Sequence, residues 1–244
     1  IKVRLPYIPY LRRIGLSATP LRQFDDDGNR AINDFFCVHE SYTFEYSMKQ
    51  AILDGKLCQY YYYPHVVYLN ENEMKEYNGL SLKLAKLYVI DSDRFRNDDM
   101  LMALLLKRKR IIHKAEGKKA VFSQILKERI RTKGSLKYTL VYVPEGNEAP
   151  ECFENDNDRM DTISVDNDTQ HLIEEYTKLV AEVDSHTTVM QFTGETSNRD
   201  EILEKFALGQ LDVLTSMKCL DEGVDIPRSE MAVFCASTGN PRQF

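Results

Sequence analysis

The residues best suited to chemistry in this 244-residue chain lie between Asp212 and Pro227, in the run DVLTSMKCLDEGVDIP. Val213 and Leu214 form a β-type run that ends in two small hydroxyl residues, Thr215 and Ser216. Glu222, Gly223, Val224, Asp225 and Ile226 follow, and Pro227 stops the unit. The order is strand, polar tip, glycine turn and fixed acid. Ligands of parallel α/β sheets sit at the carboxyl ends of the strands, so this tip is a binding-site candidate. Thr193 and Gly194 make a second tip, after the strand-like run Thr187 to Phe192. Ser197 stands where it could cap a helix beginning at Arg199. A helix start with free N–H groups suits a phosphate. A third tip, Ser17-Ala18-Thr19-Pro20, closes an apolar lead ending at Leu16. An ordinary Ser/Thr turn would use the same residues.

Such groups bind; they do not by themselves transfer anything. Asp225 or Glu222 could serve as an acid or base, but nothing pairs with either at catalytic spacing. The sequence has no G-x-x-x-x-G-K-[ST] loop and no D-E-x-H acid pair. Phosphoryl transfer needs a lysine and amide cradle, a carboxylate for Mg²⁺ and charge stabilisation. The chain alone is therefore expected not to hydrolyse ATP. Asp25 to Gly28, DDDG, reads as an acidic turn and lacks the spaced oxygens of a calcium loop. No metal site is expected.

Composition sets the frame for these tips. Hydrophobic residues make up 43% of the chain, which suits a globular fold. The net charge of -6 argues against indiscriminate polyanion binding, although a local face can still take a phosphate chain. The five cysteines form no CxxC pair, which fits a reducing cytoplasm and argues against a zinc knuckle or disulfide frame. No apolar run is long enough to cross a bilayer and no signal pattern opens the chain. Ile1 and Phe244 both read as points within a longer protein.

The elements that must hold the tips follow from periodicity. Strands are predicted at Phe35 to Val38, Tyr42 to Tyr46, Cys58 to Leu69, Leu136 to Val143, Thr187 to Phe192 and Met231 to Ala236. Leu136 to Val143, LKYTLVYV, reads as buried on both faces. The tyrosine run Tyr60 to Tyr63 could stack bases, but strand packing broken at Pro64 is the stronger reading. Helical spacing runs through Met48 to Leu53, Glu71 to Val89, Asp98 to Ala115, Lys118 to Thr132, Thr169 to Val183 and Arg199 to Leu208. Ser47 and Gly55 bracket the first of these as cap and stop, and Gly117 separates two others. Lys107 to Arg110 either binds phosphates or solvates a helix end. Glu145 to Asp161 is acidic and rich in turn residues, and reads as a loop.

Several phrases of the sequence resemble superfamily-two helicases and translocases. GLSATP with Arg22 looks like motif III, LKYTLVYV like motif IV, FTGETS like motif IVa, and the approach from Arg199 through LDEGVDIP like motif V. The segment Phe44 to Leu69 resembles the type III restriction subunit and XPB-like branch. The resemblance implies a RecA-like parallel sheet flanked by helices, as in a second helicase domain. Residues 1–24 would be the tail of the first RecA-like domain, 25–134 connecting strands and helices, and 135–244 the second domain, ending within motif VI. By carry-over, Ser17 and Thr19 would couple hydrolysis to nucleic-acid contact. Thr193, Gly194, Thr215 and Ser216 would meet the nucleic-acid backbone, and Gly223 and Asp225 the nucleotide. Arg242 precedes the position of the family's arginine fingers and receives no such role.

The resemblance further implies an ATP-dependent DNA motor, with ATP and Mg²⁺ bound by the complete protein. Its partners would be DNA, the first RecA-like domain, and subunits of a restriction or repair system, in the cytoplasm and without a membrane. An RNA helicase motor, or an inactive RecA-like scaffold that binds nucleic acid or protein, stays open as an alternative.

Overall fold

The computed structural model describes residues 12–17, 20–21, 26–38, 42–89, 94–95, 99–144, 163–194, 196–217, 226 and 228–235. They divide into two compact units, one up to Val66 and one from Val67 onward.

The first unit holds two helices, α1 (Asp26–Phe36) and α2 (Met48–Leu53). Asp25 to Gly28 was expected to turn and Phe35 to Val38 to be a strand; instead Asp26 to Phe36 is one helix. Ala31, Ile32, Phe35 and Phe36 recur at helical spacing, and Asp26 and Asp27 in the first turn favour a helix start. The helix ends at Cys37, which takes a left-handed φ of 55°. Ser47 caps α2 as expected, accepting the Gln50 N–H at 3.2 Å, and Gly55 follows the helix at φ 66°. Neither Tyr42 to Tyr46 nor Cys58 to Leu69 pairs as a strand among the described residues. β-rich composition supplies a propensity, but a strand also needs a hydrogen-bonded neighbour.

The second unit is built on a parallel sheet of β3 (Thr139–Tyr142), β4 (Val189–Phe192), β5 (Val213–Ser216) and β6 (Met231–Phe234), ordered β4-β5-β3-β6. A minor antiparallel pair, β1 (Tyr88–Val89) and β2 (Arg94–Phe95), lies apart from it in the chain. All four main strands run the same way and end on one rung. Phe192 pairs with Ser216, Ser216 with Tyr142, and Tyr142 with Phe234. This is the parallel α/β sheet that the sequence implied. β5 lies inside the sheet and every one of its residues is buried.

Strand alternation divides the core in two. On one face Val141, Val143 and Val213 pack with Phe122 and Leu126 of α5 (Glu116–Lys133) and with Ile173, Tyr176 and Val180 of α6 (Ile163–Val183). Phe122 and Tyr176 meet edge to face with centroids 5.0 Å apart. On the other face Leu140, Phe192 and Leu214 pack with Ile202 and Phe206 of α7 (Arg199–Ala207). Removing a fully buried ring such as Phe206 would cost about 3–5 kcal/mol.

Two further helices, α3 (Glu71–Ala85) and α4 (Asp99–His113), pack together. α3 ends four residues before the helix expected from Glu71 to Val89, because Tyr88 and Val89 pair as β1. Part of the basic run on α4 is engaged, while Lys107 is exposed. The Arg108 guanidinium lies 5.5 Å from the Tyr77 ring centroid, and Lys109 and Arg110 are engaged within the protein. Gly117 does not separate two helices but sits in the first turn of α5. Bare of a Cβ, it lets the helix approach Val67: a Cβ there would stand 2.8 Å from a Val67 methyl. Gly134, at φ 76°, ends α5 and returns its N–H to the Ile130 carbonyl at 2.7 Å.

Glu73 joins two helix starts. Its carboxylate accepts the Asn70 N–H at 2.8 Å, completing a capping box on α3. The same carboxylate accepts the Glu116 N–H at 2.9 Å, at the first turn of α5. Ala115 precedes that turn and has no side-chain acceptor to offer, so Glu73 takes the cap's place.

Candidate functional site

The polar tips of β4 and β5 lie side by side. The two strands are parallel neighbours and Phe192 pairs with Ser216, so Thr193 and Thr215 belong to one carboxyl edge of the sheet.

The β4 tip is a closed turn. The Thr193 N–H donates to Thr196 Oγ1 at 2.9 Å, and the Thr196 N–H returns to the Thr193 carbonyl at 3.2 Å. Arg199 donates to that same carbonyl at 3.1 Å, its guanidinium 5.3 Å from the Phe192 ring centroid. Thr193 is half-buried and Gly194 is exposed at the apex. A Cβ added at Gly194 would meet nothing within 4 Å, so the protein itself does not require glycine there. The helix cap is Asn198, not Ser197, and its side chain makes no capping hydrogen bond. Asn198 turns its amide to Glu201 instead, at 3.3 Å. The cap therefore leaves the opening N–H groups of α7 without a side-chain partner from Asn198. Asp200 and Glu201 in the same turn offset the helix dipole, and Lys205 holds Glu201 at 2.6 Å. Glu201 is kept below the usual carboxylate range first by that hydrogen bond. An anion here would be held by amides more than by net charge.

The β5 tip is used differently. Thr215 and Ser216 are both fully buried, and alternation sends their side chains to opposite faces. Thr177 of α6 donates its one proton to the Ile173 carbonyl at 2.7 Å. The Thr215 hydroxyl, 2.8 Å from Thr177, is then the donor in that pair. The Met190 carbonyl, at 3.4 Å, is its weaker alternative. Thr215 thus ties β5 to α6. Ser216 lies on the α7 face between Phe192 and Tyr142, and its buried Oγ finds no partner among the described residues.

At the end of β6, Lys118 of α5 donates to the Cys235 carbonyl at 3.1 Å. Burial lowers the Lys118 pKa and pushes the Cys235 thiol up to about 12. Burial, then the neighbouring Cys235, raises Tyr176. These groups fasten the strand end and offer no nucleophile. Among the described residues no group of three His, Cys, Asp or Glu side chains could hold a metal ion.

Ser17 is described and exposed, in the first unit. Thr19, Gly223 and Asp225 lie outside the described residues, as does the whole segment from Glu145 to Asp161 that was expected to be a loop. Sequence reasoning missed Thr177, Thr196 and Arg199. Only the placement of Arg199 at a helix start hinted at its part.

Residues 147–244 match the model of the helicase conserved C-terminal domain. That span carries α6, β4, α7, β5 and β6, with both tips. This part of the chain is similar to helicase C-terminal domains.

A DNA 3'-5' translocase, XPB2 of Sulfurisphaera tokodaii, is 36% identical over 56 residues, 23% of this chain and 13% of that protein. The Hef helicase domain of Pyrococcus furiosus has a TM-score of 0.34 at 18% identity, covering 66% of this chain and 28% of its own. The chain thus spans a small part of either protein. β3 precedes the matched span and completes its sheet.

Proposed function

We propose that this chain supplies the second motor domain of an ATP-dependent DNA helicase or translocase, within a cytoplasmic restriction or repair system. The sugar-phosphate backbone would lie across the carboxyl edge of the sheet, against the turn of Thr193 and Gly194 and the first N–H groups of α7. Ser216 would sit below this contact, and Thr215 would hold β5 in register through Thr177. Gly223 and Asp225 would face ATP, with Mg²⁺ held by the first RecA-like domain, where Ser17 and Thr19 would contribute coupling. Residues 1–24, 25–134 and 135–244 would then be the first domain's tail, the connection and the second domain. The chain alone would bind without turning over ATP.

The observation that carries this reading is the open apex of Gly194 beside a helix start without a capping hydrogen bond from Asn198. It falls within the span that matches the helicase C-terminal domain. The preference for DNA rests on the translocase relative, whose name assigns it DNA.

The test is oligonucleotide binding by Gly194→Val, measured by fluorescence anisotropy. The open space predicts an unchanged Tm and at least a tenfold loss of affinity, about 1.4 kcal/mol. Unchanged affinity for both DNA and RNA oligomers would remove the tip from the track. Stronger binding of RNA than of matched DNA would move the assignment to an RNA motor.

A further inference from the structure

The first unit exposes aromatic surface that no part of the reading above uses. Tyr60, Tyr61, Tyr62 and Tyr63 are 61%, 73%, 66% and 74% exposed, and Phe44 is 79% exposed. Tyrosine normally buries much of its ring, so five such rings in one unit call for an occupant. Their geometry is regular. Tyr61 and Tyr63 lie on the same side of an extended segment, ring centroids 6.5 Å apart and 29° from parallel. Phe44 and Tyr46 repeat the arrangement at 6.2 Å and 19°. A stacked base takes up about 3.4 Å, so each interval is close to twice that thickness. A planar ring can enter between two such side chains or lie against the outer one.

Charge favours the same occupant. The chain carries a net -6, yet Gly55 to Asn70 contains no Asp or Glu and includes Lys56 and His65. Asp54, the acid just before that run, is occupied by Tyr46 Oη at 2.8 Å and Gln50 at 2.7 Å, while Glu45 stands between Phe44 and Tyr46 in the sequence. Two features hold the rings out. Tyr60 Oη rests on the Met48 sulfur at 3.4 Å, and Pro64 removes a donor that a neighbouring strand would need.

We propose that Tyr61 and Tyr63, with Phe44 and Tyr46 as a second pair, form a stacking platform for the unpaired bases of a single-stranded polynucleotide. It rests on the polynucleotide reading above. Stacking of this kind tolerates sequence, because every base has a flat face.

The experiment measures binding of the full chain to oligothymidylate and to an abasic oligomer of equal length. The chain contains no tryptophan, so tyrosine emission reports ring contact directly. Oligothymidylate should bind about tenfold more tightly than the abasic oligomer and should quench tyrosine emission. Tyr61→Ala with Tyr63→Ala should bring that ratio close to one and leave abasic binding unchanged. Tyr61→Phe with Tyr63→Phe should restore the ratio, since stacking needs the ring and not the hydroxyl. Equal binding of both oligomers by the unmodified chain overturns the platform and leaves the backbone site standing. Binding of neither overturns both. Self-association abolished by the alanine pair, without a base-dependent signal, would give the rings to a protein contact instead.

Discussion

Ser216 and Thr215 are adjacent, equally buried and chemically alike, yet the structure predicts opposite effects when each loses its hydroxyl. Ser216 Oγ is sealed between Phe192 and Tyr142 with no partner among the described residues. A buried hydroxyl without a bond costs about 1–3 kcal/mol. Alanine removes that cost and leaves a void on the order of 10 Å³, worth roughly 0.2 kcal/mol at about 24 cal/mol per Å³. Ser216→Ala should therefore stabilise the domain by about 1 kcal/mol, raising Tm by roughly 2–4 °C for a protein of this size. Thr215→Val keeps the volume and breaks the bond to Thr177, so it should cost about 0.5–1.5 kcal/mol. Thr177 keeps its bond to Ile173, which limits the damage. The two variants should differ by about 2 kcal/mol, read by calorimetry on the same preparation. A fall in Tm for Ser216→Ala would show that its hydroxyl is satisfied, and the account of the β5 tip would fail. If Ser216 lies below the bound backbone as proposed, the same alanine should weaken oligonucleotide binding while raising Tm.

Three other outcomes follow from single contacts. Glu73→Ala removes the acceptor for two helix starts and should lower stability by about 1–2 kcal/mol in urea unfolding, whereas exposed Glu76→Ala should stay within about 0.5 kcal/mol. Cys37 and Cys58 are exposed and should react with a thiol reagent in native buffer; Cys235, buried with its thiol pushed up to about 12, should react only after unfolding. That count is best made with Cys152→Ser and Cys219→Ser in place. Asp184 is held below the usual Asp range by the Thr187 hydroxyl and then by the His186 N–H. Its contribution is present above the unfolded Asp value and is lost as pH falls through the lower folded value. Asp184→Asn should therefore flatten the acid limb of Tm against pH, and an unchanged limb would contradict the assignment.

The second unit was far more legible in the sequence than the first. LKYTLVYV and DVLTS are apolar on both sides, and a doubly covered parallel strand demands that. The helical stripes of α5 and α6 were equally plain because they bury continuous faces. What could not be read was which face each residue of a tip would take. Thr215 and Ser216 looked like one hydroxyl pair, but their roles depend on register with β3 and β4 and on a threonine one helix away. The cap of α7 slipped from Ser197 to Asn198 for a similar reason, since the Thr193–Thr196 turn fixes where the helix can begin. In the first unit the aspartates before Gly28 suggested a turn, and their value at a helix N-terminus was underweighted.

The level ending of the four strands has a metric consequence. Phe192, Ser216, Tyr142 and Phe234 share one rung, and three gaps of about 4.8 Å make a ledge roughly 14 Å wide. A polynucleotide strand rising about 3.4 Å per residue would cover it with about four nucleotides. On the proposed function, the footprint would follow from the number of strands among the described residues.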